Sequence, residues 1–216
     1  MDSIIDPIGI ERVVVINDDA TEQGGAAAIA LLSTKLLNAR HIPVTFLSGS
    51  ADIDPELEGS GAEIGVLGGR HILDGPRGTA AVRGLFDPTI QTRLAQWIAV
   101  RDTPGTVYHL HNWHKVLSPS VFGALRRVAH RLVISAHDDI FGEIFRNLDK
   151  LRPGDELQIY TASQIYTYVI TASKLVAPTD VSVMNATSHP SATLISCYPY
   201  LVDKQRIVVF ADLKTQ

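Results

Sequence analysis

The sequence predicts an α/β protein: a parallel sheet with helices on both faces, followed by a β-rich segment. Two observations lead to this prediction. Over the first 137 residues, short apolar runs rich in β-branched residues alternate with helical patterns, which is typical of parallel sheets. After residue 138 the long helical patterns stop, and β-type runs follow one another. We therefore divide the chain into residues 1–137, a Rossmann-like half-domain, and residues 138–216, a β segment.

Five strands and three helices are predicted in the first part. Arg12–Ile16 is apolar after its first residue, as expected of a strand buried on both faces. The other strands are predicted at His41–Leu47, Glu63–Leu67, Thr106–Leu110 and Arg131–Ser135. The helices are predicted at Ala26–Asn38, Pro88–Val100 and Pro119–Val128. Proline suits a first helical turn because the N–H that it lacks would have no intrahelical partner there.

The second part begins with a short helical stretch, predicted at Phe141–Leu151 and ended by a turn at residues 152–155. Four strands are then predicted, at Glu156–Thr161, Tyr166–Val176, Ala192–Cys197 and Arg206–Leu213. Because no long helix separates them, we expect antiparallel pairing, as in a barrel or sandwich. The β segment is expected to pack on the parallel sheet or to extend it.

The bulk composition indicates a soluble globular protein. The 216 residues are 45% hydrophobic and 19% charged, with a formal net charge of -4. No lysine or arginine stripe is present, so no nucleic-acid partner is expected. The N-terminus does not resemble a signal peptide, and no apolar run has the ~20 residues of a membrane span. The cytoplasm is the default expectation, with a cell-surface location if an anchor lies outside this sequence.

Three residues, the last of the first part and two of the second, suit nucleophilic catalysis. Cys197, the single cysteine, ends a predicted strand, and a nearby cation would favour its reactive thiolate. His137 could protonate a leaving amine. Arg206 could stabilise an oxyanion, because guanidinium stays charged and donates in a fixed fork. The alternative is a cysteine packed in the core.

These residues lie in stretches that resemble the C-terminal part of a sortase, a cysteine transpeptidase of bacterial cell surfaces, of the class C to E type. The stretches are SAHDDIFGEIFRNLDKLRPGDE at 135–156, YTYV at 166–169, TLISCYP at 193–199 and QRIVV at 205–209. The resemblance implies that His137, Cys197 and Arg206 form the active site, acting on a peptide. Ala136 stands where sortases usually have glycine, and nothing upstream resembles the first strands of their barrel.

A second set of candidate residues lies in the first part and at its junction with the second. Gly24 and Gly25 precede a helix, where backbone N–H groups favour an anion, although an ordinary turn is an equal alternative. His137 and Asp138 follow a strand at the carboxyl edge, where ligands bind in parallel sheets. His109 and His111 would share a strand face near His114, but no carboxylate accompanies them, and no metal ion or cofactor is predicted.

Residues 12–138 resemble the N-terminal domain of a family-4 glycosyltransferase of the two-domain GT-B type. The similar stretches are EQGGAA at 22–27, VYHLHNWH at 107–114, LSPS at 117–120 and ISAHD at 134–138. The resemblance implies that Gly24, Gly25, His137 and Asp138 line a cleft for a sugar or nucleotide-sugar. The domain that binds the donor in that family has no counterpart here.

Three functions follow, and the sequence leaves all three open. The first is a sortase-like cysteine transpeptidase, inactive if the missing strands prove essential. The second is a glycosyltransferase-like fragment that binds a sugar or nucleotide-sugar. The third is an inactive scaffold, a chimera of two enzyme fragments joined at the strand before His137.

Overall fold

A computed structural model describes residues 10–22, 25–74, 86–125, 128, 132–136, 145–160, 165–184, 187, 189–202 and 204–214. Their nine strands form one sheet in the order β3-β2-β1-β4-β5-β8-β9-β7-β6. The strands are β1 Arg12–Asn17, β2 Val44–Ser48, β3 Glu63–Val66, β4 Thr106–Leu110, β5 Leu132–Ser135, β6 Glu156–Tyr160, β7 Ile165–Val176, β8 Ser191–Tyr198 and β9 Gln205–Leu213.

The first five strands are parallel. In the register, Val14 of β1 lies opposite Thr45 of β2 on one side and Tyr108 of β4 on the other. The strands β1, β2 and β4 are buried along almost their whole length. This burial explains their continuous apolar runs, because helices cover both faces of a parallel sheet.

In the described residues, the α-helices are α1 Gly25–Asn38, α2 Pro55–Glu58, α3 Pro88–Arg101 and α4 Ser120–Leu125. The N-terminus of α3 is fixed by Asp87, whose side chain accepts hydrogen bonds from the backbone N–H groups of Thr89 and Ile90. Pro88 then occupies the first turn, as predicted. Short 3-10 helices lie at Leu148–Lys150 and Val181–Met184.

The two faces of the sheet carry separate apolar cores. On one face, α3 and α4 pack over alternate strand residues such as Val14 and Tyr108. On the other face, α1 packs over the intervening residues, such as Val13 and Val15. This alternation follows from the strand geometry, in which successive side chains point to opposite faces.

The β segment continues the same sheet. Strand β8 pairs in parallel with β5, so that Ile134 lies opposite Leu194. On its other side β8 pairs antiparallel with β9, where Leu194 lies opposite Val209. Strands β7 and β6 follow as further antiparallel neighbours. Of the two arrangements that the sequence left open, packing on the parallel sheet or extending it, the described strands show the second.

The mixed α/β class with a large sheet agrees with the prediction. The Rossmann-like assignment of residues 1–137 stays a prediction, and so does the domain boundary, because residues 137–144 lie outside the described residues. The predicted helical stretch at Phe141–Leu151 is a 3-10 turn in its described part. Among the described residues, no helix combines the length and apolar character needed to cross a membrane.

The β5–β8 junction predicts that both parts unfold together. Leu194→Ala removes a side chain that is only 2% exposed in the core shared by both parts. We expect the free energy of unfolding to fall by about 2–5 kcal/mol. The measurement is urea denaturation with two probes. Circular dichroism reports on the whole sheet, and the fluorescence of Trp97 and Trp113 reports on the first part alone.

The matched control is Leu175→Ala, because Leu175 of β7 is 44% exposed. This change is expected to alter the free energy of unfolding by about 0.5 kcal/mol. Non-coincident transitions in Leu194→Ala, with the tryptophan signal retained at the wild-type midpoint, would contradict a single cooperative sheet.

Candidate active site

Cys197 and Arg206 lie directly opposite each other on neighbouring strands. Cys197 is the penultimate residue of β8, Arg206 is the second residue of β9, and the two are partners in the antiparallel register. Side chains of opposite residues in an antiparallel pair leave the sheet on the same face, with Cβ atoms about 5 Å apart. Both side chains are half-buried. A thiol and a guanidinium are thus held together by backbone pairing.

The two side chains line a cleft on the α1 face of the sheet. Ile195, two residues before Cys197, packs against the core beneath α1, and Val208, two residues after Arg206, is part of that core. The cleft has a volume of about 350 Å³, counted with its open mouth. Its described lining residues are Ile29, His111, Ser135, Ala136, Ile195, Ser196, Cys197 and Arg206. The sulfur therefore borders a cavity instead of being sealed in the core.

The end of β5 is attached to β8 immediately before Cys197. The backbone N–H of Ala136 donates to the carbonyl of Ile195 at 3.3 Å, and Ser196 Oγ donates to the carbonyl of Ala136 at 2.8 Å. His137 is the next residue in the sequence, and it lies outside the described residues. The described residues thus bring together two of the three predicted catalytic residues and fix the residue that precedes the third.

A hydrogen-bonded serine–histidine pair lies beside Ile195 in an adjoining pocket. Ser135 Oγ is 2.7 Å from His109 Nε2. The His109 ring is buried and stacks at 4.0 Å, centroid to centroid, on the ring of His111. Burial lowers the pKa of His109 from 6.5 to about 3, because a charged imidazolium loses its hydration there. His109 is therefore a neutral hydrogen-bonding group at ordinary pH.

The segment that carries His111 is held in place by the end of β1. Asp18 is fully buried. Its carboxylate accepts hydrogen bonds from the backbone N–H groups of Lys115, Val116 and Leu117, at 2.8, 3.0 and 2.8 Å. Burial nevertheless raises the pKa of Asp18, because desolvation outweighs these hydrogen bonds. The polar residues that follow β1 thus position a loop rather than a ligand.

The other predicted site residues give no described site of their own. Gly24 and Asp138 lie outside the described residues, and Gly25 is the first residue of α1. Ile29, one turn later in α1, reaches the cleft. Among the residues that the structure describes, no three histidine, cysteine, aspartate or glutamate side chains are arranged to hold a metal ion. The pair of metal ligands considered at His109 and His111 therefore has no third ligand among these residues.

Ser135 was not among the site residues predicted from the sequence. The sequence marks it only weakly, as a polar residue at the carboxyl end of a strand near the candidate His137. Pairing with His109 becomes visible only from the parallel register, in which Val133 of β5 lies opposite His109 of β4.

Comparison with known proteins gives one family. Residues 127–214 match the sortase domain, a range that contains His137, Cys197 and Arg206. No curated protein sequence matches the chain. Nothing in the matches supports the glycosyltransferase resemblance of the first part, which remains a prediction.

Three solved structures illustrate the similarity. Sortase A from Corynebacterium diphtheriae, a lid mutant, is 27% identical over 39% of this chain and 46% of its own, with a TM-score of 0.37. The sortase C2 of Group B Streptococcus pilus island 1 is 24% identical over 38% and 48%, with a TM-score of 0.37. Streptococcus pneumoniae sortase C is 28% identical over 39% and 45%, also with a TM-score of 0.37. The chain spans less than half the length of each of these structures.

The lowered pKa of His109 predicts acid sensitivity. The folded protein resists protonation at His109, whereas the unfolded chain binds the proton near pH 6.5. The free energy of unfolding should therefore fall as the pH drops from 6.5 towards about 3, by about 5 kcal/mol at most. Urea denaturation of the wild type and of His109→Gln across this range measures the effect. An equally steep pH dependence in both proteins would contradict it.

Proposed function

We propose that the chain is a sortase-like cysteine acyltransferase acting on a peptide. Cys197 is the nucleophile, Arg206 stabilises the oxyanion and His137 is the acid and base. The observation that carries the proposal is the register of β8 and β9, which sets Cys197 opposite Arg206 on the wall of an open cleft. The sortase match over 127–214, a range that contains all three residues, supports a sortase-like function.

Each step of the reaction needs one of these groups. The Cys197 thiolate attacks the peptide carbonyl carbon, a C–S bond forms, and the carbonyl oxygen becomes an oxyanion beside the Arg206 guanidinium. His137 gives a proton to the departing amine nitrogen as the C–N bond breaks. An amine or water then attacks the thioester carbon and loses its proton to His137, the C–S bond breaks, and Cys197 leaves as the thiolate.

The attachment of Ala136 supports the assignment of His137. Because Ala136 is hydrogen-bonded to Ile195 and Ser196, the chain leaves β5 beside the strand that carries Cys197. His137 follows Ala136 directly in the sequence. The proposal needs no other element of the first part for the chemistry, although Ile29 of α1 and His111, the residue after β4, complete the walls of the cleft.

The sequence alternatives are distinguished by different probes. A sugar or nucleotide-sugar fragment would bind such a ligand saturably at Gly24 and Gly25 and leave Cys197 without a role. An inactive scaffold would bind neither class, and Cys197 would behave as a packing residue. The acyltransferase proposal would place the protein at a cell surface, where sortases act, if an anchor lies beyond this sequence.

Arg206→Ala is predicted to slow the reaction of Cys197 with iodoacetamide. A nearby cation favours the thiolate, which is the reactive form, so its removal should lower the rate by about 3–10-fold near neutral pH. The measurement is the pH dependence of alkylation, followed by mass spectrometry of the single cysteine.

Lys214→Ala is the matched control, since it removes the same charge from the other end of β9, where Lys214 is exposed and pairs with Glu156. It should alkylate at the wild-type rate. Equal rates in the wild type and Arg206→Ala would remove the electrostatic basis of the proposal.

Turnover is predicted to require all three groups. With a peptide library and excess hydroxylamine, the wild type should form peptide hydroxamates and a thioester on Cys197, both detectable by mass spectrometry. Cys197→Ala should form neither. His137→Gln and Arg206→Ala should each lose about 100-fold or more, as expected for a general acid and an oxyanion donor. Undiminished hydroxamate formation by Cys197→Ala would show that another group carries the reaction.

A further inference from the structure

Strand β7 extends well beyond the strand β6 that pairs with it. It runs from Ile165 to Val176, whereas β6 pairs only with residues 165–169. Among the described residues, the later part of β7 has a neighbouring strand only on the β9 side. Residues 171–175 are all exposed. This second half of β7 is therefore an open edge of the sheet.

Two residues of this edge, Ser173 and Leu175, direct their backbone groups away from the sheet. The N–H of Lys214, just after β9, donates to a carbonyl of β7, so every second residue back along β9 also faces β7. Ala172 and Lys174 are register partners of two of these residues and are thus bonded to β9. Ser173 and Leu175 alternate with them, so their N–H and C=O groups point to the open side.

The side chains along this edge differ between the two faces of the sheet. Lys174 lies opposite Val208 and therefore on the α1 face, because Val208 belongs to the core beneath α1. Leu175 lies opposite Ile207 on the other face, and it is 44% exposed. A strand added at this edge would therefore meet a cation on one face and an apolar side chain on the other.

The charge of Lys174 is not neutralised by an ion pair in the described part of the chain. Its Nζ lies 5.5 Å from the ring centroid of Phe210, a contact that leaves the ammonium charged. Hydrogen bonds from Ser182 lower the pKa of Asp180, and the charges of Lys174 and Arg40 lower it further. Two cations thus act on this one carboxylate, and the edge keeps a net positive charge.

A second copy of the chain is a poor partner for this edge. Antiparallel self-pairing that uses both Ser173 and Leu175 in each copy places the two Lys174 side chains directly opposite each other. Like charges in that position destabilise a strand pair, and lysine on an edge strand commonly protects against self-association. The same lysine favours a strand that places a carboxylate opposite it. The edge therefore suits a different, acidic partner.

We propose that residues 171–175 of β7 bind an extended acidic segment of another protein as an additional antiparallel strand. The backbone of Ser173 and Leu175 exchanges hydrogen bonds with that segment, as in other complexes in which a peptide extends a sheet. Lys174 then faces a glutamate or aspartate in the closer, non-hydrogen-bonded kind of pair, and an apolar residue packs beside Leu175. This site goes beyond the acyl transfer proposed above, because it requires no reaction at Cys197.

The test uses the isotope-labelled full chain and the capped peptide Thr-Val-Glu-Val-Thr, whose glutamate is designed to lie opposite Lys174. Binding should be saturable, and it should slow hydrogen exchange at the N–H groups of Ser173 and Leu175, as measured by NMR. The peptide with lysine in place of glutamate should bind about 3–10-fold more weakly, because it sets like charges opposite each other. The peptide with both valine nitrogens methylated should not bind, because it lacks the N–H donors that face the edge.

A charge reversal on the protein tests the same pair from the other side. Lys174→Glu should bind the lysine peptide about 3–10-fold more tightly than the glutamate peptide. The matched control is Lys150→Glu, which reverses the same charge at an exposed position of a 3-10 helix and should keep the wild-type preference. Repeating the titration with Cys197→Ala separates this site from the acyl transfer, because binding should persist without the thiol.

The proposal is overturned if no probe saturates, if the glutamate and lysine peptides bind the wild type equally, or if the methylated peptide binds like its parent. Chemical-shift changes confined to Ser135 and Ser196 would place the peptide in the cleft instead of at the edge, which also contradicts it. A dimer in sedimentation without peptide, with Ser173 and Leu175 already protected from exchange, would show that a second copy occupies the edge.

Discussion

The parallel pairing of β5 with β8 is the interaction on which the rest of the structure depends. Strand β8 carries hydrogen bonds to β5 on one side and to β9 on the other, so it joins the parallel strands to the antiparallel ones. A strand with an unpaired edge exposes backbone groups that need partners. Here the edge strand of the parallel group, β5, and the edge strand of the antiparallel group, β8, supply hydrogen-bond partners to each other. The apolar core under α3 and α4 consequently runs across the junction, from Tyr108 to Leu194 and Val209.

This junction also determines where the cleft forms. The carboxyl ends of β4 and β5 meet the carboxyl end of β8 at one edge of the sheet, because all three strands are parallel. Ligand sites in parallel sheets lie at that edge, where the strands stop and loops diverge. Strand β9 begins at the same edge, since it runs antiparallel to β8. Cys197 at the end of one strand and Arg206 at the start of the next are brought together by this reversal of direction.

Two electrostatic environments lie side by side at the edge. Around Cys197, the Arg206 guanidinium supplies a permanent charge that suits a thiolate or an oxyanion. A short distance away, burial keeps His109 neutral, so that it can exchange hydrogen bonds but cannot serve as a base near neutral pH. His109 therefore does not suit the general acid of the proposed reaction, which the proposal assigns to His137, two residues after the end of β5.

The sequence by itself determined the elements and the reactive residue types. Local patterns placed the nine strands and the helices α1 and α3 within a few residues, because side-chain periodicity and proline positions are properties of neighbouring residues. The helix predicted at Pro119–Val128 is described only at Ser120–Leu125, and the helical stretch predicted at Phe141–Leu151 is a 3-10 turn in its described part. Cys197 and Arg206 were recognised for the same reason, from short stretches around them. Tertiary structure decided the order of strands, the union of both parts in one sheet, and the pairing of Ser135 with His109, which are 26 residues apart. Such contacts depend on which strands pair and in which register, and no local pattern specifies that choice.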